Sequence, residues 1–356
     1  MWPYWLLFLV PAYFAISRLK PTLQTAATVK HDRWSIAWRF IFVMLVLMIG
    51  WRHEVGGDWA AYIINMENPE LFAEFGDPAN NLLFWLGRNL GGGIYLVNLI
   101  SAVLFSWGLL VFCRAQPRPW LALTVAVSYL ITVVAMGYTR QGVAIGLAML
   151  AISALCNGNN MKFVLWIALA TTFHKSAIIL VPLAALANTK RRIFTLLWVG
   201  IAAFALFALL LRESLEGLVS GYIGDEYESS GAGIRLVMNA VPAVLFLIFR
   251  KRFQLTPQQN SFWTWMALSA LLLVVALKFS PSSTAVDRIA LYWIPLQLFV
   301  LSRLPNILGR RDGKNALWVS AIVAYSSAVL FVWLFFGVHS VYWLPYQFYP
   351  WVWFWQ

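Results

Sequence analysis

The chain has 356 residues, of which 61% are hydrophobic and only 11% are charged, whereas a soluble domain carries roughly 25% charged residues. This composition excludes a soluble globular protein. The net charge of +12 comes from short basic clusters between apolar runs, which is typical of topology signals rather than of nucleic-acid binding. Because the apolar runs are long and unbroken, they favour helices over barrel strands. We predict an all-α polytopic membrane protein, formed as a single integral membrane domain over residues 1–356, with no nucleic-acid partner.

Apolar runs of about the length of a membrane span recur along the chain. They predict spans at about 1–16, 35–51, 94–113, 119–137, 140–156, 193–211, 233–249, 262–279, 286–302 and 315–336. The first run has no basic n-region and no cleavage site, so it is predicted to be a span, not a signal peptide, with the N-terminus outside. Cys113 and Cys156 lie at predicted inner ends of spans, which argues against a disulfide or a cysteine metal site.

Residues 163–187 decide the topology of the second half of the chain. One span there would put the basic clusters at 190–192, 250–252 and 303–314 outside, against the positive-inside bias. Two short helices, 163–173 and 176–187, turning at His174 and Lys175, return these clusters to the cytoplasm. The total is then about 10–12 transmembrane helices including this short or re-entrant hairpin. Whether the hairpin crosses twice or re-enters stays open, because eleven or twelve residues is short for a crossing.

With this topology, the acidic residues gather on the outer side, and only Asp32 and Asp312 lie in cytoplasmic loops. Three outer segments are predicted. Residues 52–93 form an interfacial segment with a hinge at Gly91–Gly93, residues 212–232 form an acidic loop, and residues 337–356 form an aromatic interfacial tail. The outer side is therefore the predicted side of the chemistry.

A few outer-side cations sit in compact polar clusters at the ends of spans. These clusters are Arg52-His53-Glu54 with Gly57-Asp58, Tyr138-Thr139-Arg140-Gln141, Phe173-His174-Lys175-Ser176, and Asp287-Arg288 with Tyr292. Positive charge kept where the insertion bias removes it usually has a function. Guanidinium groups bind phosphate oxygens bidentately, so these clusters predict an anionic substrate at the outer lipid interface, such as a diphosphate.

Each cluster also has a structural interpretation. Arg52 could be a snorkelling anchor at a span end, and His174 could bond a carbonyl at a helix turn. Asp287 and Arg288 could form only a local ion pair at a helix start. The Trp and Tyr residues could serve mainly in packing and at the membrane interface.

Several short motifs occur in the order found in the EpsG family of Wzy-like polysaccharide polymerases, which the chain resembles over most of its length. The motifs are Gly57-Asp58-Trp59-Ala60-Ala61-Tyr62 preceded by Arg52, Arg140-Gln141-Gly142-Val143-Ala144, Phe173-His174-Lys175-Ser176-Ala177, Asp287-Arg288-Ile289-Ala290-Leu291-Tyr292, and Pro345-Tyr346. The family often has Gly-Thr-Asp-Tyr where this chain has Gly57-Asp58-Trp59 behind Gly56. The carboxylate is kept, and the departure leaves the role of residue 56 open.

The resemblance implies a GT-C/Wzy-like fold and a metal-independent membrane glycosyltransferase without a cofactor. Its substrate would be an undecaprenyl-diphosphate-linked oligosaccharide, and its products would be exopolysaccharide, capsule or O-antigen chains. It would lie in the bacterial cytoplasmic (inner) membrane, with membrane lipid and a chain-length regulator as further partners and the active site facing outward.

The residues of the motifs take their expected roles from this reaction. Arg52, Arg140 and Arg288 are candidates to hold the departing diphosphate. Asp58, His174 and Glu54 are the candidate bases, and which of them acts stays open. We predict Asp58, His174 and Arg140 as catalytic. The predicted substrate-binding residues are Arg52, His53, Glu54, Trp59, Tyr62, Gln141, Lys175, Ser176, Asp287, Arg288 and Tyr292.

Two other functions remain open at this point. A lipid-linked oligosaccharide flippase or transporter would have inverted repeats and polar groups near the bilayer midplane, neither of which is evident in the sequence. An outer-face oligosaccharide ligase or acyltransferase would use the same arginines.

The acidic residues Asp225, Glu226 and Glu228 are interpreted as a solvated loop and not as a metal site.

Overall fold

The computed structural model describes residues 1–21, 34–68, 77–187, 231–280 and 282–355. In this part of the chain, six helices are long and apolar enough to cross a membrane: Gly93–Arg114, Thr139–Cys156, Ala232–Phe253, Pro257–Phe279, Ser283–Leu308 and Ala316–Phe336. Four shorter apolar helices are Trp2–Ser17, Ile36–Gly50, Pro119–Ala135 and Asn160–Phe173. The predicted all-α polytopic membrane class is confirmed. The predicted span at 193–211 and nearly all of the predicted loop at 212–232 lie outside the described residues.

The secondary-structure elements follow in chain order. The first are α1 (Trp2–Ser17), α2 (Ile36–Gly50), β1 (Arg52–His53), α3 (Trp59–Glu67), α4 (Pro78–Asn89), α5 (Gly93–Arg114) and α6 (Pro119–Ala126), which continues as a π-helix over Val127–Ala135. Next come α7 (Thr139–Cys156), α8 (Asn160–Phe173), a 3-10 helix (Lys175–Leu180) and α9 (Val181–Ala187). The last are α10 (Ala232–Phe249), α11 (Pro257–Phe279), α12 (Ser283–Ala290), α13 (Ile294–Leu308), α14 (Ala316–Phe336), β2 (Gln347–Phe348) and α15 (Tyr349–Trp355). Short 3-10 segments at Arg250–Phe253, Leu291–Trp293 and Val338–Tyr342 complete the set.

Two compact units make up the chain: Met1–Leu147 with Ser302–Gln356, and Ala148–Leu301. In the first unit, the predicted outer segment 52–93 contains β1, which pairs antiparallel with β2 so that Arg52 lies opposite Phe348 and His53 opposite Gln347. Helices α4 and α5 are separated by a break at Gly91 and Gly93, which both adopt positive φ angles, 70° and 53°. That this break acts as a hinge stays a prediction.

The C-terminal tail contributes to the core of the first unit. Trp343 is 1% exposed, its Nε1 donates to the carbonyl of Thr132 at 2.7 Å, and its own carbonyl accepts from Tyr4 Oη at 2.7 Å. Its ring lies so close to Gly137 that a Cβ there would be 2.1 Å from Trp343 Cζ2. Further along, Trp351, Trp353 and Phe354 are exposed, which fits the interfacial position that the sequence predicts for this end of the tail.

Replacement of Trp343 by alanine should destabilise the protein. Deletion of a buried Trp ring removes its packing and leaves a cavity, so we expect the free energy of unfolding to fall by about 3–5 kcal/mol. The measurement is thermal or denaturant unfolding of the purified protein in detergent micelles. Trp353→Ala is the matched control, because Trp353 is in the same tail but is 65% exposed. Equal stability losses in the two variants would contradict the packing described here.

The second unit contains the predicted helix break. Helix α8 ends at Phe173, His174 adopts an extended conformation with φ −156° and ψ 113°, and a 3-10 helix begins at Lys175. The predicted break at His174 is therefore confirmed. Helix α10 is tied to the following helices by polar side chains: Asn239 Nδ2 donates to the carbonyl of Ala290 at 2.8 Å, and Gln297 Nε2 donates to Asn239 Oδ1 at 2.7 Å.

Capping residues explain two helix starts that the hydropathy pattern placed too late. Helix α11 begins at Pro257 rather than 262, because Thr256 and Gln259 form a capping box and Pro257 occupies the first turn. Helix α12 begins at Ser283 rather than 286, because the side chain of Ser282 accepts from the backbone N–H of Ala285. Hydropathy marks the lipid-spanning part of a helix, whereas caps mark its polar ends.

Candidate functional site

A tight turn between β1 and α3 carries the first group of predicted site residues. Glu54 and Gly56 both have positive φ angles, 51° and 108°. A Cβ at residue 56 would lie 2.1 Å from the carbonyl oxygen of Met136, so only glycine fits there. The backbone N–H groups of Gly56 and Asp58 donate to the carbonyls of Tyr342 at 2.8 Å and Gly137 at 3.1 Å. This answers the open question about residue 56: it lets the turn approach the backbone before α7.

Arg52 lies inside this turn and is bonded to its own protein. It is 2% exposed, and its Nε donates to the carbonyl of Val55 at 3.1 Å. Nη1 donates to the carbonyl of Ile49, and Nη2 donates to Asn98 Oδ1 at 3.0 Å and Thr139 Oγ1 at 2.7 Å. Burial lowers the pKa of Arg52 to about 10, opposed by nearby tyrosines and Asp58. Arg52 thus joins the turn to α5 and α7.

Arg140, in the first turn of α7, is held differently. Its backbone N–H donates to Tyr62 Oη at 3.3 Å, and its Nη1 donates to Asp77 Oδ2 at 3.2 Å. The Arg140 side chain is 37% exposed, whereas the side chain of Asp77 is only 8% exposed. A guanidinium that is anchored on one side and accessible on another can receive an anion.

Asp58 and Tyr62 complete this first group. The Asp58 carboxylate is close enough to act on the charge of Arg52, and it adds to burial in raising the pKa of the Tyr62 hydroxyl. Tyr62 and Gln141 are both buried. The structure therefore brings together Arg52, Asp58, Tyr62 and Arg140, which are 88 positions apart at most in the sequence.

His53 lies in an aromatic group beside the turn. Its Nδ1 is 2.6 Å from Tyr95 Oη, and its Nε2 is 3.9 Å from the exposed carboxylate of Glu54. The ring centroid of His53 is 5.7 Å from that of Trp59 and 6.2 Å from that of Tyr95. Tyr95 in turn stacks on Tyr349 at 3.7 Å. Trp59 therefore faces other aromatic rings as well as the outside of the turn.

In the second unit, two hydroxyl groups meet the His174 ring. Ser176 Oγ is 2.5 Å from His174 Nδ1, and Tyr292 Oη is 3.4 Å from the same nitrogen. Ser176 Oγ also bonds Tyr292 Oη at 3.3 Å. Contacts of this kind orient an imidazole and select its tautomer. Lys175, the next residue to His174, is half-buried.

Asp287 has a partner that the sequence analysis did not assign to it. Arg235, on α10, donates from Nε to Asp287 Oδ1 at 2.7 Å and from Nη2 to Oδ2 at 2.7 Å. Both side chains are largely buried, at 14% and 12% exposed. This bidentate pair joins α10 to α12, and the neighbouring Arg288 is half-buried.

Five supporting residues are not among the predicted site residues: Asn98, Thr139, Asp77, Tyr95 and Arg235. Asn98 and Asp77 lie far along the chain from Arg52 and Arg140, which they contact. The one signal in the sequence for such residues is that an arginine removed from water needs hydrogen-bonding partners. Within the described part of the chain, no group of three or more His, Cys, Asp or Glu side chains is placed to hold a metal.

Comparison with known proteins adds one finding. The model of the EpsG family matches residues 35–348, nearly the whole chain. The chain belongs to the EpsG family. EpsG is a Wzy-like polymerase family, so this multi-pass inner-membrane protein has a role in polysaccharide polymerisation and is a glycosyltransferase-like enzyme. The family implies a lipid-linked oligosaccharide as substrate. No curated protein and no solved structure matches the chain.

Proposed function

We propose that this EpsG-family protein joins undecaprenyl-diphosphate-linked oligosaccharide repeat units on the outer face of the cytoplasmic membrane. The observation that carries the proposal is Arg140: a guanidinium that is anchored by Asp77, stands near the Asp58 carboxylate and keeps more than a third of its side chain accessible. A diphosphate requires such a cation, and an attacking hydroxyl requires a carboxylate or an imidazole.

The reaction follows from these groups. A hydroxyl oxygen of the acceptor unit attacks the anomeric carbon of the growing chain, and the bond from that carbon to the lipid diphosphate breaks. The diphosphate leaves with the electron pair, stabilised by arginine, and the hydroxyl proton passes to the base. Asp58 is the candidate in the first unit and would also stabilise an oxocarbenium-like transition state. Because guanidinium groups neutralise the leaving group, this mechanism uses no metal.

The remaining arginines take different roles in the proposal. Arg52 was predicted to contact the diphosphate, but its burial and its internal hydrogen bonds favour a supporting role, with its charge acting at short range on Asp58. Arg288 remains a predicted diphosphate contact in the second unit. There His174 is the candidate base, with Ser176 and Tyr292 in contact with its ring, and Lys175 and Asp287 remain predicted substrate contacts.

Aromatic side chains supply the proposed sugar contacts. Trp59 and His53 lie at the same turn as Asp58, beside Tyr95. Tyr and Trp rings present both an apolar face and a polar group, which suits the alternating CH and OH groups of a sugar. Glu54 and Gln141 remain predicted substrate contacts, and a chain-length regulator remains a predicted partner.

Loss of the gene separates polymerase from flippase and ligase. We expect cells without the protein to display single repeat units at the outer surface but no long chains. The measurement is gel analysis of surface polysaccharide together with labelling of lipid-linked repeats from outside. If no lipid-linked repeats reach the outer face, the protein is a flippase. If long chains remain attached to the lipid, it is a ligase.

A further inference from the structure

The carboxylate of Asp77 is the feature that the proposed reaction leaves unexplained. Asp77 directly precedes α4 and is 6% exposed, yet its side chain forms no capping hydrogen bond to that helix. Burial of a carboxylate is costly unless a cation or hydrogen bonds compensate for it. Its Oδ2 accepts a hydrogen bond from Nη1 of Arg140 at 3.2 Å, on a helix that begins more than sixty positions later.

We propose that Asp77 is a positioning residue for Arg140, and that it competes with the substrate diphosphate for the same guanidinium. This inference rests on the proposed function of Arg140 as the diphosphate contact. By holding Nη1, Asp77 fixes the orientation in which the rest of the guanidinium faces outward. The same negative charge weakens the attraction of Arg140 for an anion, so that it limits how tightly the lipid diphosphate is held after the reaction.

A second ion pair with an arginine, between Arg235 and Asp287, differs from the Asp77 pair in its burial and geometry. Arg235 and Asp287 are both largely buried, at 14% and 12% exposed, and two hydrogen bonds of 2.7 Å join them. In this bidentate geometry, the guanidinium and the carboxylate face each other. In the Asp77 pair, the Asp77 side chain is 8% exposed and the Arg140 side chain is 37% exposed, and Arg140 Nη1 donates to Asp77 Oδ2 at the longer distance of 3.2 Å. The Asp77 side chain is therefore held inside the protein, whereas the Arg140 side chain remains partly accessible.

The negative charges around Arg140 support the proposal that Asp77 competes with the substrate diphosphate for the guanidinium. The Asp58 carboxylate also acts on the charge of Arg140, so Arg140 interacts with two acids before substrate arrives. An incoming diphosphate must displace part of this interaction. Such a site binds its anion less tightly than an isolated arginine would, and releases the leaving group more readily. Catalysis depends on holding the transition state, whereas equal binding of substrate and product adds nothing to the rate.

The variant Asp77→Asn tests the positioning of Arg140 and the competition with the diphosphate by separate measurements. Asparagine keeps the shape of the side chain but removes its charge, so the guanidinium is less well oriented and less neutralised. In vesicles supplied with undecaprenyl-diphosphate-linked oligosaccharide, we expect kcat to fall by on the order of 10- to 100-fold. KM should fall rather than rise. In a binding assay with undecaprenyl diphosphate alone, we expect the Kd to be lower by about two- to fivefold.

Two control variants distinguish the possible outcomes of this experiment. Asp312→Asn, in an exposed turn that is predicted to lie on the cytoplasmic side, should leave kcat, KM and Kd unchanged. Asp77→Glu restores the charge and should regain part of kcat. An unchanged or weaker affinity of Asp77→Asn for undecaprenyl diphosphate would overturn the inference, since a purely structural carboxylate gives no tighter binding. If the unaltered protein forms no polymer, the proposed function fails, while the binding assay still tests the Asp77 competition.

Discussion

Replacement of Arg140 by lysine should reduce polymer formation by about 10²- to 10³-fold, the usual effect of removing one group that stabilises a developing negative charge. Lysine keeps the positive charge but lacks the planar fork that can hold Asp77 and a phosphate oxygen at once. The measurement is the rate of chain elongation in vesicles and the length distribution of polysaccharide in cells. Single lipid-linked repeats should accumulate on the outer face.

A control for Arg140 is Arg250→Lys, because Arg250 is exposed in a short 3-10 helix and belongs to a basic cluster predicted to lie on the cytoplasmic side. It should leave chain length unchanged. Protein abundance in the membrane must match in both variants, since Arg140 also joins α7 to Asp77. Normal chain length in Arg140→Lys at normal abundance would remove the diphosphate role from this residue.

Replacement of Asp58 by asparagine should reduce polymerisation by about 10²- to 10⁴-fold, the range expected for the loss of a general base. The fold of the turn should survive, because it is the backbone N–H of Asp58, not its side chain, that donates to Gly137 at 3.1 Å. Glu67→Gln, at the exposed end of the same helix, is the matched control and should behave as the unaltered protein. Elongation rate at saturating substrate is the quantity to compare.

Parallel variants decide which candidate is the base. Glu54→Gln and His174→Gln remove the other two candidates, one on the exposed side of the turn and one in the second unit. The base is the residue whose loss lowers kcat with little change in KM, because a base acts on the transition state. If His174→Gln shows the largest fall in kcat and Asp58→Asn only a modest one, Asp58 is not the base and His174 takes that role.

Much of the fold could be predicted because membrane spans are local features. A run of about 20 apolar residues needs no knowledge of the rest of the chain to be recognised. The break at His174 followed instead from charge placement, because one span there would put the basic clusters at 190–192, 250–252 and 303–314 outside. Capped helix ends at Pro257 and Ser283 were less well predicted, since polar caps lie outside the hydropathy signal.

The candidate site could likewise be predicted only in part from the sequence. Composition determined the membrane class, whereas charge placement and motif order gave predictions: outer-side clusters and the candidate residues Arg52, Asp58, Arg140, His174 and Arg288. Residue type alone, however, treats Arg52 and Arg140 as equivalent. Tertiary structure decided that Arg52 is buried among carbonyls, Asn98 and Thr139, whereas Arg140 is anchored by Asp77 and accessible. The reason is physical: burial and hydrogen-bond partners come from contacts 46 to 87 positions apart, which only the folded chain brings together.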